Sequence, residues 1–368
     1  MIYFDNAATT FPKPKSVINS VTGCIKEYCG NPGRGSHILS RRSAEAVYET
    51  REKIALFLNS DKPENVVFSY NATYALNLAI KTLITKNCHV LTSDIEHNSV
   101  IRPLAKLERT LGITRSEYNS DGDIEKNIIK EIRPDTECIV STLASNVTGK
   151  QIPIEILSSI AKKYGIKLIV DASQAVGYRK IDLKNNPCDV FCAPGHKALF
   201  GIQGCGFAVF KESKIKDSFI EGGSGTESLS PRMPSLLPEG YEAGTLSTPA
   251  IVSLGAGIDY INSATIYRME NKIFTLSNEI KQIVQNNKNL VLYPSSGSVI
   301  AFNHESFTSN RLSEFLDFHG VCVRAGLHCA PSAHRKLGTL DNGCVRISLS
   351  YLNSMNDVKF FYDILRNL

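Results

Sequence analysis

Short apolar runs alternate with helical patterns through the middle of the chain. Each run is rich in Val, Ile and Leu, and helical periodicity follows it. In chain order the runs and their helical patterns are 66–69 with 73–84, 89–93 with 99–111, and 137–142 with 154–164, and a further run follows at 167–171. This alternation is typical of βα units, so we predict an α/β fold with a mainly parallel sheet. Ligands of such sheets bind beyond the carboxyl ends of the strands.

The remainder of the chain has a different pattern. Two further strands are predicted at 190–193 and 206–210, and the polar, Gly- and Pro-rich stretch 221–244 is predicted to be a long functional loop. After this loop we predict helices at 249–261, 267–285, 309–318 and 355–365, with short strands near Val291, Val299, Val321 and Val345. A length of 368 residues favours two domains. We predict a large domain at 17–262 and a small α+β domain made of 1–16 and 263–368.

The composition excludes several classes of protein. A net charge of +5 is small for this length, and because Lys and Arg are mixed with Asp and Glu, we expect no nucleic-acid partner. No apolar run is long enough to span a bilayer, and the first residues show no charged leader followed by an apolar stretch. We therefore expect a cytoplasmic protein without membrane contact. The ten cysteines are irregularly spaced, which favours reduced thiols over a disulfide framework.

Two groups of cysteine and histidine residues are candidates for a metal site. Cys188 and Cys192 alternate with other residues as in a buried strand, and no second pair follows them. His328, Cys329 and His334 provide half of a site but lack a clear fourth ligand. The sequence therefore predicts no metal.

Asp171 and Lys197 stand at the ends of two predicted apolar strands. Asp171 closes the run 167–171, and Lys197 lies between the strand that ends at Ala193 and another apolar segment. The aspartate is either a surface loop residue or a partner that keeps a pyridinium nitrogen protonated. Burial lowers the pKa of a lysine and prepares its amine for covalent bonding to a carbonyl compound. The two residues are of the types that pyridoxal phosphate needs, and the prediction of such a site depends on them together with two further segments.

Two other strand ends carry residues that suit the same cofactor. His97 follows the run 89–93, and its imidazole either stacks on a cofactor ring or caps a helix. Asn71, Ala72 and Thr73 open a helical pattern, where free N–H groups and a hydroxyl can bind phosphate. Many helices begin in this way, so this segment supports the prediction only together with the others.

An ordered set of short motifs extends along nearly the whole chain. In order they are Asp5-Asn-Ala-Ala-Thr9, Arg34-Gly-Ser-His37, Glu96-His97, Ser145-Asn146-Val-Thr-Gly149, Val170-Asp-Ala-Ser-Gln174, Gly195-His-Lys197, Glu242-Ala-Gly-Thr245, Arg324-Ala-Gly-Leu-His-Cys329 and Val345-Arg-Ile-Ser348. Together they resemble the class V aminotransferase group of fold-type I pyridoxal-phosphate enzymes, and within it the cysteine desulfurases and selenocysteine lyases. The resemblance implies pyridoxal 5'-phosphate as cofactor, a homodimer, and a mainly parallel seven-stranded sheet in the large domain.

The resemblance implies roles at the ring of the cofactor. Lys197 resembles the lysine that carries the cofactor, Asp171 the partner of the ring nitrogen, and His97 the histidine that stacks on the ring. Gln174 is similar to the neighbour of the ring hydroxyl. His97 is also a plausible acid and base in the reaction.

Further roles concern the phosphate. Ala72 and Thr73 are expected beside it at a helix start, where Thr73 is the side chain that matches the family motif. His196 resembles another phosphate ligand, and Thr245 resembles the residue that reaches the phosphate of the other subunit. The family often has Ser or Thr where this chain has Pro194, which offers neither a hydroxyl nor an N–H, so one phosphate contact is in question.

The substrate side of the site follows from the same resemblance. Asn146 and Arg346 resemble the residues that bind the substrate carboxylate, with Arg324 close by. A planar guanidinium suits this task because it can bind both carboxylate oxygens.

Cys329 is the candidate sulfur acceptor. It is either a buried thiol at a turn or an attacking thiolate, the second favoured by Arg324 and by His328 if that imidazole is charged. The Arg-x-Gly-x-His-Cys pattern resembles the second desulfurase group, whose cysteine sits on a short loop. The resemblance implies that L-cysteine becomes L-alanine while its sulfur passes to Cys329 as a persulfide. A short loop cannot carry sulfur far, so a small acceptor protein is expected to come to it.

Three alternatives remain open at this stage. A selenocysteine lyase acting on L-selenocysteine would use the same residues, and another class V activity such as a transaminase would not need Cys329. A non-catalytic regulator that binds the cofactor is disfavoured because the lysine position is filled by Lys197. The sequence does not name the sulfur acceptor or the pathway.

Overall fold

The computed structural model describes residues 1–33, 35–60, 62–215 and 217–366, so Arg34 of the second motif lies outside the described residues. The α-helices within these ranges are α1 Lys15–Glu27, α2 Ile38–Leu58, α3 Ala72–Leu83, α4 Asn98–Leu111, α5 Ile124–Glu131, α6 Ile154–Tyr164, α7 Thr248–Ala264, α8 Ile266–Asn286, α9 Ser309–Phe318, α10 Pro331–Leu337 and α11 Met355–Leu365. The strands are β1 Ile2–Tyr3, β2 Val66–Ser69, β3 His89–Ser93, β4 Thr114–Tyr118, β5 Thr136–Thr142, β6 Lys167–Asp171, β7 Val190–Pro194, β8 Gly206–Phe210, β9 Leu290–Leu292, β10 Val299–His304, β11 Val321–Cys322, β12 Arg324–Gly326 and β13 Cys344–Ser348.

Seven strands form the larger sheet, in the order β2-β8-β7-β6-β5-β3-β4. The neighbours from β7 to β4 are parallel, whereas β8 is antiparallel to both β2 and β7. Each face of the sheet packs on its own apolar cluster, with Val66 and Phe68 in one and Val67 in the other, as expected of alternating strand residues. The prediction of an α/β fold with a mainly parallel seven-stranded sheet is confirmed.

The parallel strands end along one edge of this sheet. Their last residues there are Ser93, Tyr118, Thr142, Asp171 and Pro194. Thr142 lies directly opposite Asp171 in the pairing of β5 with β6. The candidate motifs that follow these strands are therefore brought together although they lie far apart in the sequence.

A second sheet is built from the C-terminal third of the chain. Its order is β12-β13-β10-β9, and all of its pairs are antiparallel. Arg324 of β12 lies opposite Arg346 of β13, so both candidate carboxylate-binding arginines belong to this sheet. The chain start contacts the same region, because β1 pairs with β11 and Asp5 forms a bridge with Ser348.

The predicted division into 17–262 and 1–16 with 263–368 stays a prediction, and residue 262 falls inside α7. The described residues between β8 and α7 contain neither a helix nor a paired strand beyond the bridge of Lys214 with Leu236, as predicted for a long loop. A functional role for that loop stays a prediction. Of the helices in the described ranges, none combines the length and apolar character needed to cross a membrane.

Candidate active site

A cavity opens at the carboxyl edge of the larger sheet, where the motifs meet. It contains about 530 Å³ of empty space, including its open mouth. Eight residues singled out from the sequence line it: Ala72, Thr73, His97, Asn146, Asp171, Gln174, His196 and Lys197. Of the remaining predicted site residues, Arg324, Arg346 and Cys329 belong to the second sheet and its turn, and Thr245 lies elsewhere.

Lys197 follows β7 in a tight turn and is partly buried. Its carbonyl accepts hydrogen bonds from the Thr10 hydroxyl at 2.7 Å and from the Phe200 N–H at 2.9 Å, which fix the backbone of the turn. Burial lowers the pKa of its amine to about 8, an effect that Asp171 opposes and the arginines 324 and 346 reinforce. About a tenth of the amine is therefore neutral, and thus nucleophilic and basic, at pH 7, far more than for a lysine with the ordinary pKa of 10.5.

Asp171 and His97 lie on two of the neighbouring strand ends. Asp171 closes β6 almost fully buried, and its Oδ1 accepts a hydrogen bond from the Ser173 N–H at 2.9 Å. His97 caps α4, because its Nδ1 accepts from the Ser99 N–H at 3.1 Å. Burial lowers the pKa of the imidazole to about 4, although the negative charge of Asp171 opposes this shift. His97 therefore caps α4 and also lines the cavity, and its ring is neutral.

The start of α3 gives the cavity donors suited to an anion. Ala72 and Thr73 are the first residues of α3, where backbone N–H groups lack helical partners. The Thr73 hydroxyl lies 2.8 Å from the Ser99 hydroxyl, so Ser99 joins this end of the cavity although the sequence reasoning did not single it out. Burial lowers the pKa of His196 to about 4, which leaves the ring neutral.

Two buried polar atoms beside the cavity lack hydrogen-bond partners among the residues described. They are Nδ1 of His196 and Oε1 of Gln174. The Gln174 side chain is held in place because its Nε2 donates to the Ala7 carbonyl at 3.0 Å. A buried polar atom without a partner is costly, so these two atoms indicate that the cavity receives a polar ligand.

Arg346 is the most deeply buried of the candidate substrate-binding residues. Its guanidinium donates to the Asp5 carboxylate at 2.6 Å and to the Asn146 carbonyl at 3.0 Å, and only 1% of the residue is exposed. Arg324 is half-buried on the adjacent strand. The structure therefore brings Asn146 and both arginines together, and it adds Asp5, whose motif was noted in the sequence without a role.

The turn that carries Cys329 has an unusual backbone. His328 and Cys329 both adopt left-handed conformations, with φ of 48° and 58°, which cost energy in residues other than glycine. Two hydrogen bonds of 2.7 Å hold this turn, from the Asn146 amide to the His328 carbonyl and from the Asn98 N–H to the Cys329 carbonyl. Because Asn98 directly follows His97, Cys329 is tied to the rim of the cavity, and its side chain is exposed.

His328 does not meet the condition, a charged imidazole, under which it would favour the Cys329 thiolate. His328 is only 3% exposed, and burial lowers the pKa of its imidazole to about 2, so the ring is neutral. Arg324 is the cationic residue in the nearby strand β12.

Thr245 does not line this cavity. It is exposed and lines a different cavity together with Phe68 and Tyr241. This position is compatible with a role toward a second subunit, which stays a prediction.

Comparisons with known proteins agree with this arrangement. The chain matches the family described as aminotransferase class-V over residues 2–361. A probable cysteine desulfurase from Methanothermobacter thermautotrophicus is 29% identical, covering 100% of this chain and 94% of the relative. The apo structure of a cysteine desulfurase from Thermococcus onnurineus has a TM-score of 0.88 at 27% identity, covering 100% of this chain and 95% of that one. A cysteine desulfurase from Escherichia coli shares the fold, with a TM-score of 0.90 at 21% identity over 99% of this chain and 94% of that one. Because the family match spans nearly the whole chain, this protein belongs to the aminotransferase class-V family.

Proposed function

We propose that the protein is a pyridoxal-phosphate-dependent cysteine desulfurase that converts L-cysteine to L-alanine and transfers the sulfur to Cys329. The comparisons support the proposal, because relatives and a solved structure at 27–29% identity are described as cysteine desulfurases. The observation that carries it is the attachment of the Cys329 turn to two cavity elements through Asn146 and Asn98. A thiol held at the rim of this cavity is what distinguishes sulfur transfer from other class V reactions.

The residues of the cavity fit the proposed cofactor. The amine of Lys197 would carry it, Asp171 would pair with its ring nitrogen, and His97 would lie against its ring. The unpartnered Oε1 of Gln174 and Nδ1 of His196 would receive polar partners from its ring hydroxyl and its phosphate, with Thr73 and Ser99 at the phosphate end. When bound, pyridoxal phosphate supplies an electron sink that stabilises negative charge on the substrate α-carbon.

The protein side of the reaction follows from the protonation states. The Lys197 amine, with its pKa lowered to about 8, would remove the α-proton of the substrate and return it. Cys329 would attack the substrate sulfur, so that an S–S bond forms, the C–S bond breaks, and the carbon keeps the electron pair and takes a proton. His97 is neutral at pH 7 and could accept or donate that proton.

The substrate carboxylate would lie between Asn146 and the two arginines. Arg346 is already paired with Asp5, so Arg324, which is half-buried and closer to solvent, would provide the more accessible charge. A cationic pocket of this kind would bind the carboxylate of an amino acid and would leave its side chain directed toward Cys329.

The proposal also includes a homodimer in which Thr245 reaches the phosphate of the other subunit, and a small acceptor protein that collects the sulfur. The exposed thiol of Cys329 supports the second point, because an acceptor can approach it directly. A cytoplasmic location stays a prediction from the sequence.

One assay tests the proposal. Purified protein loaded with pyridoxal phosphate would be given L-cysteine, L-selenocysteine or L-cysteine sulfinate in parallel, and alanine would be measured in each. We expect alanine from L-cysteine together with a reductant-sensitive gain of one sulfur at Cys329. Turnover of L-selenocysteine alone would instead identify a selenocysteine lyase, and amino transfer to a keto acid without sulfur release would identify a transaminase.

A further inference from the structure

A buried cluster of soft metal-ligand side chains lies behind the Cys329 turn. It consists of His328 in the turn, His334 in α10 and Cys344 at the start of β13, which are 3%, 0% and 0% exposed. One ring nitrogen of each histidine and the Cys344 sulfur lie within 4.8 Å of one another. The two imidazole rings are stacked, with their centroids 5.6 Å apart. The sequence suggested a group of His328, His334 and Cys329, whereas in the structure the cysteine close to the two histidines is Cys344.

Each histidine is oriented by one nitrogen and leaves the other nitrogen free. His328 donates from Nε2 to the Cys344 carbonyl at 3.0 Å, and a carbonyl can only accept, so its Nδ1 carries a lone pair. His334 Nδ1 lies 2.8 Å from the Thr339 hydroxyl, which can itself donate to the His334 carbonyl. Across the described ranges, Nδ1 of His328 and Nε2 of His334 have no hydrogen-bond partner. Histidine ligands of metals are usually fixed in this way, with the second nitrogen bonded to a carbonyl or a similar group.

We propose that His328, His334 and Cys344 form a structural binding site for a thiophilic cation of the class of Zn²⁺ or Cu⁺. Two imidazoles and a thiolate are ligands that these ions prefer, whereas Mg²⁺ and Ca²⁺ require oxygen ligands. Metal–nitrogen and metal–sulfur bonds of about 2.1 and 2.3 Å place ligand atoms roughly 3.5 Å apart. Since these ligand atoms lie within 4.8 Å of one another, their separations would need to shorten by at most about 1.3 Å on binding.

This site is separate from the catalytic cavity. The three residues are not among those that line the cavity, and the Cys329 side chain is exposed while the cluster is buried. A bound cation would join the turn that precedes Cys329 to α10 and to β13, the strand that carries Arg346. Its effect would be to hold the left-handed Cys329 turn, independently of which reaction the cavity catalyses.

The test uses the full-length protein with its cofactor, reduced and then stripped with a chelator. Co²⁺ serves as a spectroscopic probe for the zinc position, because a thiolate ligand gives a charge-transfer absorption in the near ultraviolet. We expect one Co²⁺ per chain with this absorption, displaced by one equivalent of Zn²⁺, and a higher thermal midpoint with metal than without. Cu⁺ would be tested in parallel with a competing chelator of known affinity. Absence of binding by Zn²⁺, Co²⁺ and Cu⁺ alike would overturn the proposal.

Matched variants locate the ion. His334→Gln and Cys344→Ser should weaken binding at least tenfold and remove the thiolate absorption, whereas Cys138→Ser, at another fully buried cysteine, should bind as the parent does. Cys329→Ser should also keep the absorption, because its thiol is not a ligand. If the absorption persists in Cys344→Ser or disappears in Cys329→Ser, the ion is bound elsewhere and the proposal is wrong. Measurement on the parent chain keeps the test valid even if a variant fails to fold.

Discussion

Asp5 and Arg346 form an ion pair between the two ends of the chain, with the Asp5 Oδ1 and the Arg346 Nη2 2.6 Å apart. The Arg346 side chain is 1% exposed and that of Asp5 is 19% exposed, so the contact is largely shielded from solvent. The only other hydrogen bond of the guanidinium within the described residues goes to the Asn146 carbonyl, and its Nε has no partner there. Asp5 is therefore the counter-charge that permits Arg346 to be buried beside the cavity.

Asp5→Asn should destabilise the protein because it leaves a buried guanidinium without a counter-charge. We expect the free energy of unfolding to fall by about 3 kcal/mol, in the range found for broken buried pairs. Asp259→Asn is the matched control, because Asp259 pairs with Lys53 at the same 2.6 Å but in an exposed position. That substitution should cost less than about 1 kcal/mol. Chemical denaturation would measure the free energy of unfolding of both variants. Equal decreases in the two variants would contradict a special role for Asp5.

Much of the fold could be predicted because apolar periodicity is strong in buried elements. The predicted helices 154–164, 309–318 and 355–365 coincide with α6, α9 and α11. Strand β4 was not predicted, because its sequence Thr-Arg-Ser-Glu-Tyr is polar and it lies at the sheet edge with Tyr118 as its buried residue. The edge strand β4 is defined by its pairing with β3, and its own sequence gives little indication of that pairing.

The candidate site, like the fold, could be predicted from the sequence only in part. Lys197, Asp171 and His97, which line one cavity, were selected from their positions after apolar strands, which is a local signal. Ser99 and the contact of Asn98 with Cys329 were missed, because they depend on how α4 packs against the distant Cys329 turn. The sequence left the charge of His328 open because burial, which decides the protonation of that ring, cannot be read from neighbouring residues.

Lys197→Ala should abolish turnover, because no other amine can take the place of the covalent attachment to the cofactor. Alanine release from L-cysteine should fall by at least ~1000-fold. In the parent, borohydride treatment should attach the cofactor mass to the peptide that contains Lys197. Lys184→Ala, at an exposed lysine, should behave as the parent does. Turnover close to the parental rate in Lys197→Ala would show that the cofactor is held elsewhere.

Glu96 gives a pH dependence of stability with a defined sign. Complete burial raises the pKa of its carboxyl from 4.5 to about 8, although hydrogen bonds from Ser93 and from the Thr142 N–H oppose the shift. Below pH 4.5 the carboxyl is neutral in both folded and unfolded chains. As the pH rises from there toward 8, the unfolded chain loses the proton first, so stability is lost.

Glu96→Gln removes this titration while keeping the acceptor oxygen. Between about pH 5 and about pH 7 the stability of the parent relative to the variant should fall by ~1.4 kcal/mol per pH unit. Urea denaturation at several pH values would measure the difference. Glu125→Gln, at an exposed carboxyl, should show no such trend relative to the parent. A relative stability of Glu96→Gln that does not change with pH would contradict the assignment of a neutral, buried Glu96.

Thr245 tests the proposed dimer. If it reaches the phosphate of the other subunit, it compensates for the hydroxyl that Pro194 lacks, together with Thr73 and His196. Thr245→Ala should then lose cofactor during dialysis several times faster than the parent. Thr226→Ala is the control, because Thr226 is an exposed threonine in the same loop region. Equal cofactor retention in both variants, measured from the visible absorption, would remove Thr245 from the phosphate site.

Cys329 separates a desulfurase from every relative that uses the same cofactor for another reaction. Cys329→Ala should still bind pyridoxal phosphate and L-cysteine, because Lys197, Asp171 and the arginines remain, and the visible absorption should still respond to L-cysteine. Alanine formation should fall by at least ~100-fold, since the sulfur has no acceptor. Cys322→Ala, at a half-buried cysteine of β11, is the matched control and should keep its activity.

The fate of the sulfur makes the Cys329 test decisive. In the parent, L-cysteine should add one sulfur to the peptide that contains Cys329, and a thiol reductant should remove it. Turnover should be slow until a reductant or an acceptor protein clears the persulfide, because each cycle needs the free thiolate. If L-selenocysteine were the true substrate, Cys329→Ala would lose its activity on L-cysteine and keep much of its activity on L-selenocysteine. Full activity of the variant on both amino acids would leave Cys329 as a structural thiol and the chain as a class V enzyme with a different reaction.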